Sequence, residues 1–182
     1  ARPEAAIRHG APLLRVVGQL GAGGPAQRVG VEVVAGSGTT IRLDGSAGTR
    51  ADLASAVPCQ VLDPASHELV QGPPGERRAF LDWGTFHVEQ GFLPHWQKYR
   101  RALQQRNAAL RAGDGESAWA WDETLASAGE IVDQCRRRAL DSLAQAAGMQ
   151  AEVLLGDAIE LQYLSGWAEG STLGAALEQS RH

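Results

Sequence analysis

Between Phe92 and Ala146 the apolar residues recur at alternating steps of four and three, and this period constrains the fold more than any other feature. In the first half, Phe92, Trp96, Tyr99, Leu103 and Leu110 form a seam, with Arg106 where one apolar beat is missing. In the second half, Trp121, Leu125, Ala128, Val132, Cys135, Ala139 and Ala146 repeat the pattern, and Ser142 fills the remaining beat. The spacing predicts one helix starting just after Gly91 and a second from about Ala118 to Ala147, with Gly148 as its C-terminal cap. "RAGDGES" separates them and is too short to let them part, so the pair reads as an antiparallel helical hairpin. Small residues along the second seam allow close approach. A shorter helix carrying Phe80, Leu81 and Trp83 precedes the hairpin.

The flanks follow a different period. "LLRVVGQL", "RVGVEVV" and "TTIRLDG" read as three strands, with Val29, Val31 and Val33 on one face and Ile41 and Leu43 inward. Their connectors, "GAGGP", "AGSG" and "DGSAG", are turn chemistry, which predicts an antiparallel meander. "TRADLASAVP" reads as a short helix with Thr49 or Asp52 near its start and Pro58 as its stop. "CQVLDP" reads as a brief buried strand and "ASHELVQGPP" as a turn region. After the hairpin, "AIELQYLSGW" places Ile159, Leu161 and Tyr163 on one face of a returning strand. "STLGAALEQSRH" closes the pattern as an amphipathic helix with Ser171 as N-cap. The expected class is α/β in the α+β sense: antiparallel strands plus a helical-hairpin lobe. The expected divisions are a β-rich part over 1–74, a helical lobe over 75–150, and a return strand and helix over 151–182.

Several activities find no residues to carry them. "GAGG" and "GSGTT" lack the lysine of a phosphate-binding loop, and Lys98 is the only lysine in the chain, so both read as hairpin turns. "QVLDP" is too short to be the metal-bearing strand of an ATPase, although Asp63 at its end is a candidate to face a site. There is no HExxH, GxSxG or paired carboxylate, so no catalytic residue and no metal site is assigned. His87, between apolar neighbours in "TFHVE", reads as a hydrogen-bonded core or boundary histidine. Cys59 and Cys135 stand far apart and read as reduced thiols of a cytoplasmic protein. No apolar run approaches the roughly 20 residues that span a bilayer, so no membrane is expected as a partner. The first residue is not Met, which fits an internal piece of a longer protein.

The net charge of −4 gives no global field for nucleic acid, so any such contact must use a local patch. Arginines supply the candidates: Arg77 and Arg78 after the Pro-Pro-Gly turn, Lys98, Arg101 and Arg106 on the first long helix, and Arg136, Arg137 and Arg138 on the second. Two adjacent basic helices can hold a phosphodiester backbone without reading bases. The same residues also read as a solvated helix face with acidic partners one turn away, Arg78 with Asp82 among them.

The run "GERRAFLDWGTFHVE" followed by "FLPHWQKYRRALQQRNAALR", with "LDPASHELVQGPP" before it and "LQYLSGW" after it, resembles the RecF family of bacterial DNA replication and repair proteins. The resemblance is strongest from about Cys59 to Trp167 and looser in the β-rich part. It implies the middle of an ATPase head of the ABC and SMC class, with Walker A before residue 1 and the signature and Walker B beyond His182. It further implies ATP and Mg²⁺ binding by the parent but not by this piece alone, slow ATP hydrolysis and ATP-dependent homodimerisation. By the resemblance Asp63 and His67 are the candidate cofactor-binding residues, at a Q-loop-like turn. By the same resemblance the partners are DNA, single-stranded or as gapped duplex, and RecO and RecR. The alternative is a non-catalytic helical module that docks a protein partner.

Overall fold

A computed structural model describes residues 2–21 and 26–181. The chain forms two compact units, Ala1–Leu62 and Asp63–His182.

In the first unit, strands β1 (Leu13–Leu20), β2 (Gln27–Val34), β3 (Gly38–Leu43) and β4 (Ser46–Gly48) form an antiparallel sheet in sequence order. The register sets Val31 opposite both Val16 and Ile41, and Val29 opposite Leu43, so the alternating apolar residues share a face. Val29, Val33 and Ile41 are buried there. On the opposite face Arg15 pairs with Glu32 directly across the strands. The meander has one strand more than the sequence predicts. Asp44 and Gly45 both take positive φ, 49° and 85°, the two-residue turn that returns β4 along β3. Three residues are too few for apolar alternation to mark β4 in the sequence. The turn at Ser37 follows the "GSGTT" expectation, with Gly36 and Gly38 left-handed. Most of the "GAGG" turn lies outside the described residues. Helix α1 (Arg50–Ala56) packs on β3 and starts with a reciprocal box between Thr49 and Asp52, then stops before Pro58.

The second unit is helical: α2 (Glu68–Gln71), α3 (Pro74–Val88), α4 (Phe92–Arg111), α5 (Gly115–Trp119), α6 (Asp122–Leu155) and α7 (Leu173–Gln179). Helices α4 and α6 are the predicted hairpin, and their seams meet. Phe92, Val132 and Cys135 form one core cluster with Phe86, Trp96 and Tyr99 against it. Ala102, Leu125 and Leu177 form the next, with Tyr99, Leu103, Trp121 and Leu173. The aromatic residues thus fill the helical unit's own interior. The small seam residues matter at Gly129, where an added Cβ would stand 2.4 Å from a Leu173 methyl and 3.2 Å from the Tyr99 ring. Only a residue without a side chain lets α7 and α4 close on α6 there.

Several local expectations are corrected. Cys59–Leu62 is not a buried strand: it is irregular and exposed, Val61 at 69% and Leu62 at 84%. The segment after it is not plain turn, because Asp63 caps a 3₁₀ turn (Pro64–His67) that runs into α2. Helix α6 passes through Gly148 and ends at Gly156, whose φ of 69° is the left-handed C-terminal cap. The continuing helix outweighs the cost of one interior glycine, roughly 1 kcal/mol. The "AIELQYLSGW" stretch has the alternation of a strand but is irregular, since no strand of the described residues hydrogen-bonds to it. Helix α7 is capped by the Thr172 hydroxyl, which accepts from the Ala175 amide at 3.1 Å, rather than by Ser171.

Candidate nucleic-acid interface

The basic residues fall into two groups, separated by whether an acid answers them.

The Arg136–Arg138 run at mid-α6 is fully answered, by three different acids. Arg136 donates to Asp82 of α3 at 2.7 Å, and both side chains are largely buried. The Trp96 indole N–H donates to the other Asp82 oxygen at 2.8 Å, tying α4 into the same carboxylate. Arg137 bridges Asp133 one turn back at 2.8 Å and lies over the Tyr163 ring at 5.1 Å. Arg138 grips Glu89, at the end of α3, at 2.6 Å. That hydrogen bond holds the Glu89 carboxyl below its ordinary range. Arg106 also faces inward. It donates to Asp122 at 2.6 Å and to Ser180 at 3.3 Å, and Arg181 reaches the second Asp122 oxygen at 2.8 Å. Three consecutive arginines on a helix point in three directions, about 100° apart, which is why they meet three partners. Arg106 and Arg136 therefore serve as internal ion pairs rather than as an exposed row.

Two residues expected near the turn before α3 are engaged locally. The Asp63 carboxylate accepts from the Ala65 amide at 3.0 Å as a cap, and His67 is exposed at the end of that turn. One capping carboxylate and one exposed imidazole do not fit an ATP–Mg²⁺ site by themselves. Among the described residues no group of three or more His, Cys, Asp or Glu could hold a metal ion. Arg77 donates to the Gly72 carbonyl at 2.9 Å, so its guanidinium closes the C-terminal end of α2. Asp82 is turned to Arg136 and Trp96, so the Arg78–Asp82 pair does not form, and Arg78 is exposed.

A row of unanswered cations lies on α4. Its 20 residues contain Lys98, Arg100, Arg101, Arg106 and Arg111 and no acidic residue. With Arg106 turned inward, Lys98, Arg100, Arg101 and Arg111 are exposed, and none forms an ion pair among the described residues. Arg100 lies over the Trp96 ring at 4.7 Å, which fixes the start of the row. Lys98 to Arg111 spans about 20 Å of helix.

Sequence reading gave Asp82 to Arg78 rather than to Arg136, and did not single out Glu89, Asp122 or Asp133. One signal was present, because a charged residue on the vacant beat of an apolar seam, Arg106, needs a buried partner. Tyr163 is a second omission. Burial, and after it the nearby Asp133, pushes its hydroxyl up to about 12. Its proton is then held more tightly folded than unfolded. The stability it contributes is complete below pH 10 and is lost as pH rises towards 12. An absorbance titration of phenolate is expected to show one late transition that Tyr163→Phe removes. A normal, early transition for Tyr163 would mean that its ring is not packed against α6. His87 is half-buried as expected, its ring 4.4 Å from Trp83 and 4.9 Å from Phe86. Its Nε2, however, has no hydrogen-bond partner among the described residues. Cys59 and Cys135 are both free thiols. No helix of the described residues is long and apolar enough to cross a membrane.

A four-stranded antiparallel sheet followed by this helical unit places the chain in a mixed α+β class that matches half of a known ATP-bound architecture. It superposes on the recombination mediator protein RecF-ATP of the RecFOR pathway with a TM-score of 0.83 at 17% identity, covering 99% of this chain and 52% of that one. The corresponding RecF-ATPrS structure gives 0.79 at 19%, covering 94% and 49%. In sequence the chain is 38% identical over 185 residues to the DNA replication and repair protein RecF of Pseudomonas paraeruginosa, covering 99% of this chain and 50% of that protein. It is 39% identical over 179 residues to RecF of Azotobacter vinelandii, covering 96% and 49%. No protein-family model matches the chain. The chain is a partial RecF-like segment, homologous to RecF along its whole length, and it spans about half the length of the curated relatives it matches.

Proposed function

We propose that this chain is the middle region of an ABC/SMC-type ATPase head and that the outward face of α4 contributes DNA-contacting surface to it. The observation that carries the DNA contact is the charge of α4: a long helix with no acid, presenting Lys98, Arg100, Arg101 and Arg111 to solvent. Every arginine of the α6 run has an acid, so on the two long helices the unanswered cations are those of α4. Gln97, Gln104 and Gln105 stand exposed among those cations and add neutral donors for phosphate oxygens. The residues read no base edge as a set, so the contact is to backbone and is not sequence-specific.

In a protein of RecF length, ATP and Mg²⁺ would be held by residues this chain does not supply, and two heads would close around nucleotide. Gapped duplex and single-stranded DNA are then the substrates, RecO and RecR the protein partners, and the cytoplasm the compartment. Homology to RecF supports each of these. The alternative, a helical module that docks a protein, has one observation of its own: Met149, Val153, Leu154 and Leu155 stand exposed along the end of α6.

Anisotropy of the chain with labelled duplex, across a salt series, tests the proposal. Reversing Lys98, Arg101 and Arg111 to Glu is expected to weaken binding at least about ten-fold. The same variant is expected to flatten the salt dependence, by about 0.9 in slope for each phosphate it no longer neutralises. Arg137→Gln, which removes an answered charge, is expected to change little. Unchanged affinity in the α4 variant would remove the DNA role from this helix.

A further inference from the structure

At the C-terminal end of α4 the surface opens into a cleft of about 410 Å³ lined by Arg106, Leu110, Gly115, Trp119, Ser180 and Arg181, along with Gly113. No acidic side chain lines it. Asp122 lies beneath, 5% exposed, and its carboxylate is engaged by both guanidiniums. Two positive charges against one negative leave the floor with an excess of one positive charge. The guanidiniums cannot swing away, because Asp122 holds Arg181 through two nitrogens, at 2.8 and 3.0 Å, and Ser180 steadies Arg106. A preorganised cation loses little freedom when it meets an anion.

The wall is aromatic. Trp119 is 42% exposed, and the Arg181 guanidinium lies 5.7 Å from its ring centre. A side chain at Gly115 would stand 3.3 Å from the indole, so the glycine keeps that edge of the ring clear. An exposed indole beside a fixed guanidinium is the pairing that stacks a planar base and neutralises its phosphate. The volume falls in the range of small-ligand sites, about 300–1,000 Å³, and takes one nucleotide. The cleft also adjoins the helix that carries the cationic row, because Arg106 and Leu110 belong to α4 with Lys98, Arg101 and Arg111.

We propose that this cleft is a subsite for one unpaired nucleotide of a nucleic-acid strand, its base on Trp119 and its phosphate on Arg181 and Arg106. This rests on the reading of α4 as a DNA surface: duplex backbone lies along the helix, and the first unpaired residue enters the cleft at its end.

The test compares a fully paired duplex with the same duplex carrying a short unpaired tail, by anisotropy and by tryptophan fluorescence. The chain is expected to bind the tailed duplex about ten-fold more tightly, the scale of one base stacked on an aromatic ring. Trp119→Ala is expected to abolish that preference while leaving paired-duplex binding and the unfolding midpoint unchanged. Trp119→Phe is expected to keep most of the preference but lose the quenching. Equal binding of both duplexes by the wild type, or a preference that survives Trp119→Ala, overturns the subsite and leaves the α4 reading standing. Binding of neither duplex overturns both. Quenching by a short polyglutamate peptide but not by the tail overturns it in favour of an acidic protein segment.

Discussion

Asp122→Ala is expected to cost about 3–5 kcal/mol of stability, because it strands a buried guanidinium. Asp122 is the single acid for Arg106 and Arg181, and the Arg106 side chain is only 11% exposed. Arg106 occupies the vacant beat of the α4 seam and reaches solvent only along the edge of the cleft, so without Asp122 its charge is left largely buried. Once the Asp122 carboxylate that holds it is gone, Arg181, at 34%, can turn outward. The loss is therefore assigned mainly to Arg106. Urea unfolding of the single variant is expected to show a large drop in midpoint with unchanged slope. Asp122→Leu combined with Arg106→Met is expected to recover most of it, since a pair of apolar residues removes both desolvation costs. If the double variant were no better than Asp122→Ala, the destabilisation would come from poorer packing rather than from an unpaired charge.

Phe92→Ala is the other large effect, expected at about 3–5 kcal/mol from the apolar surface no longer buried and the cavity left behind. Phe92 is 2% exposed at the first residue of α4, packed on Val132 and Cys135 of α6 with Phe86 of α3 beside it. It is where three helices meet, and Gly91, left-handed at φ 82°, turns the chain so that the ring enters the core. Trp83→Ala serves as the comparison. That larger ring is 38% exposed, so its removal is expected to shift the midpoint much less. A similar loss for both would mean that size, not depth, sets the cost.

How much of this was legible from the sequence varies element by element. The α4 and α6 seams were, because a 3.6-residue period projects onto one helix face whatever surrounds it. The meander was, because Val29, Val31 and Val33 alternate and the connectors carry turn residues. The hairpin turn at Asp44–Gly45 was visible as a turn, but the three residues of β4 carry no alternation to identify them as a strand. The 157–166 stretch shows the opposite failure, for alternation alone marks Ile159, Leu161 and Tyr163 as a strand while a strand exists only where another offers its hydrogen bonds. Gly148 and Gly156 are alike as letters. Only Gly156 takes the left-handed φ that ends the helix, and that choice is a property of the folded backbone.

The candidate surface was legible only as a list of arginines. Their sequence positions fix the helix and the angle at which each points, and the absence of any acid from α4 is plain in the letters. Which arginine is free was settled by residues 16 to 59 positions away: Asp82 for Arg136, Glu89 for Arg138, and Asp122 for Arg106 and Arg181. By itself the sequence determined the elements, their buried faces and the cationic helix, because those follow from local periodicity and composition. The tertiary structure alone decided which charges are answered and where Trp119 and Arg181 meet, because an ion pair needs oxygen and nitrogen within a few ångströms, and only the folded chain brings them there.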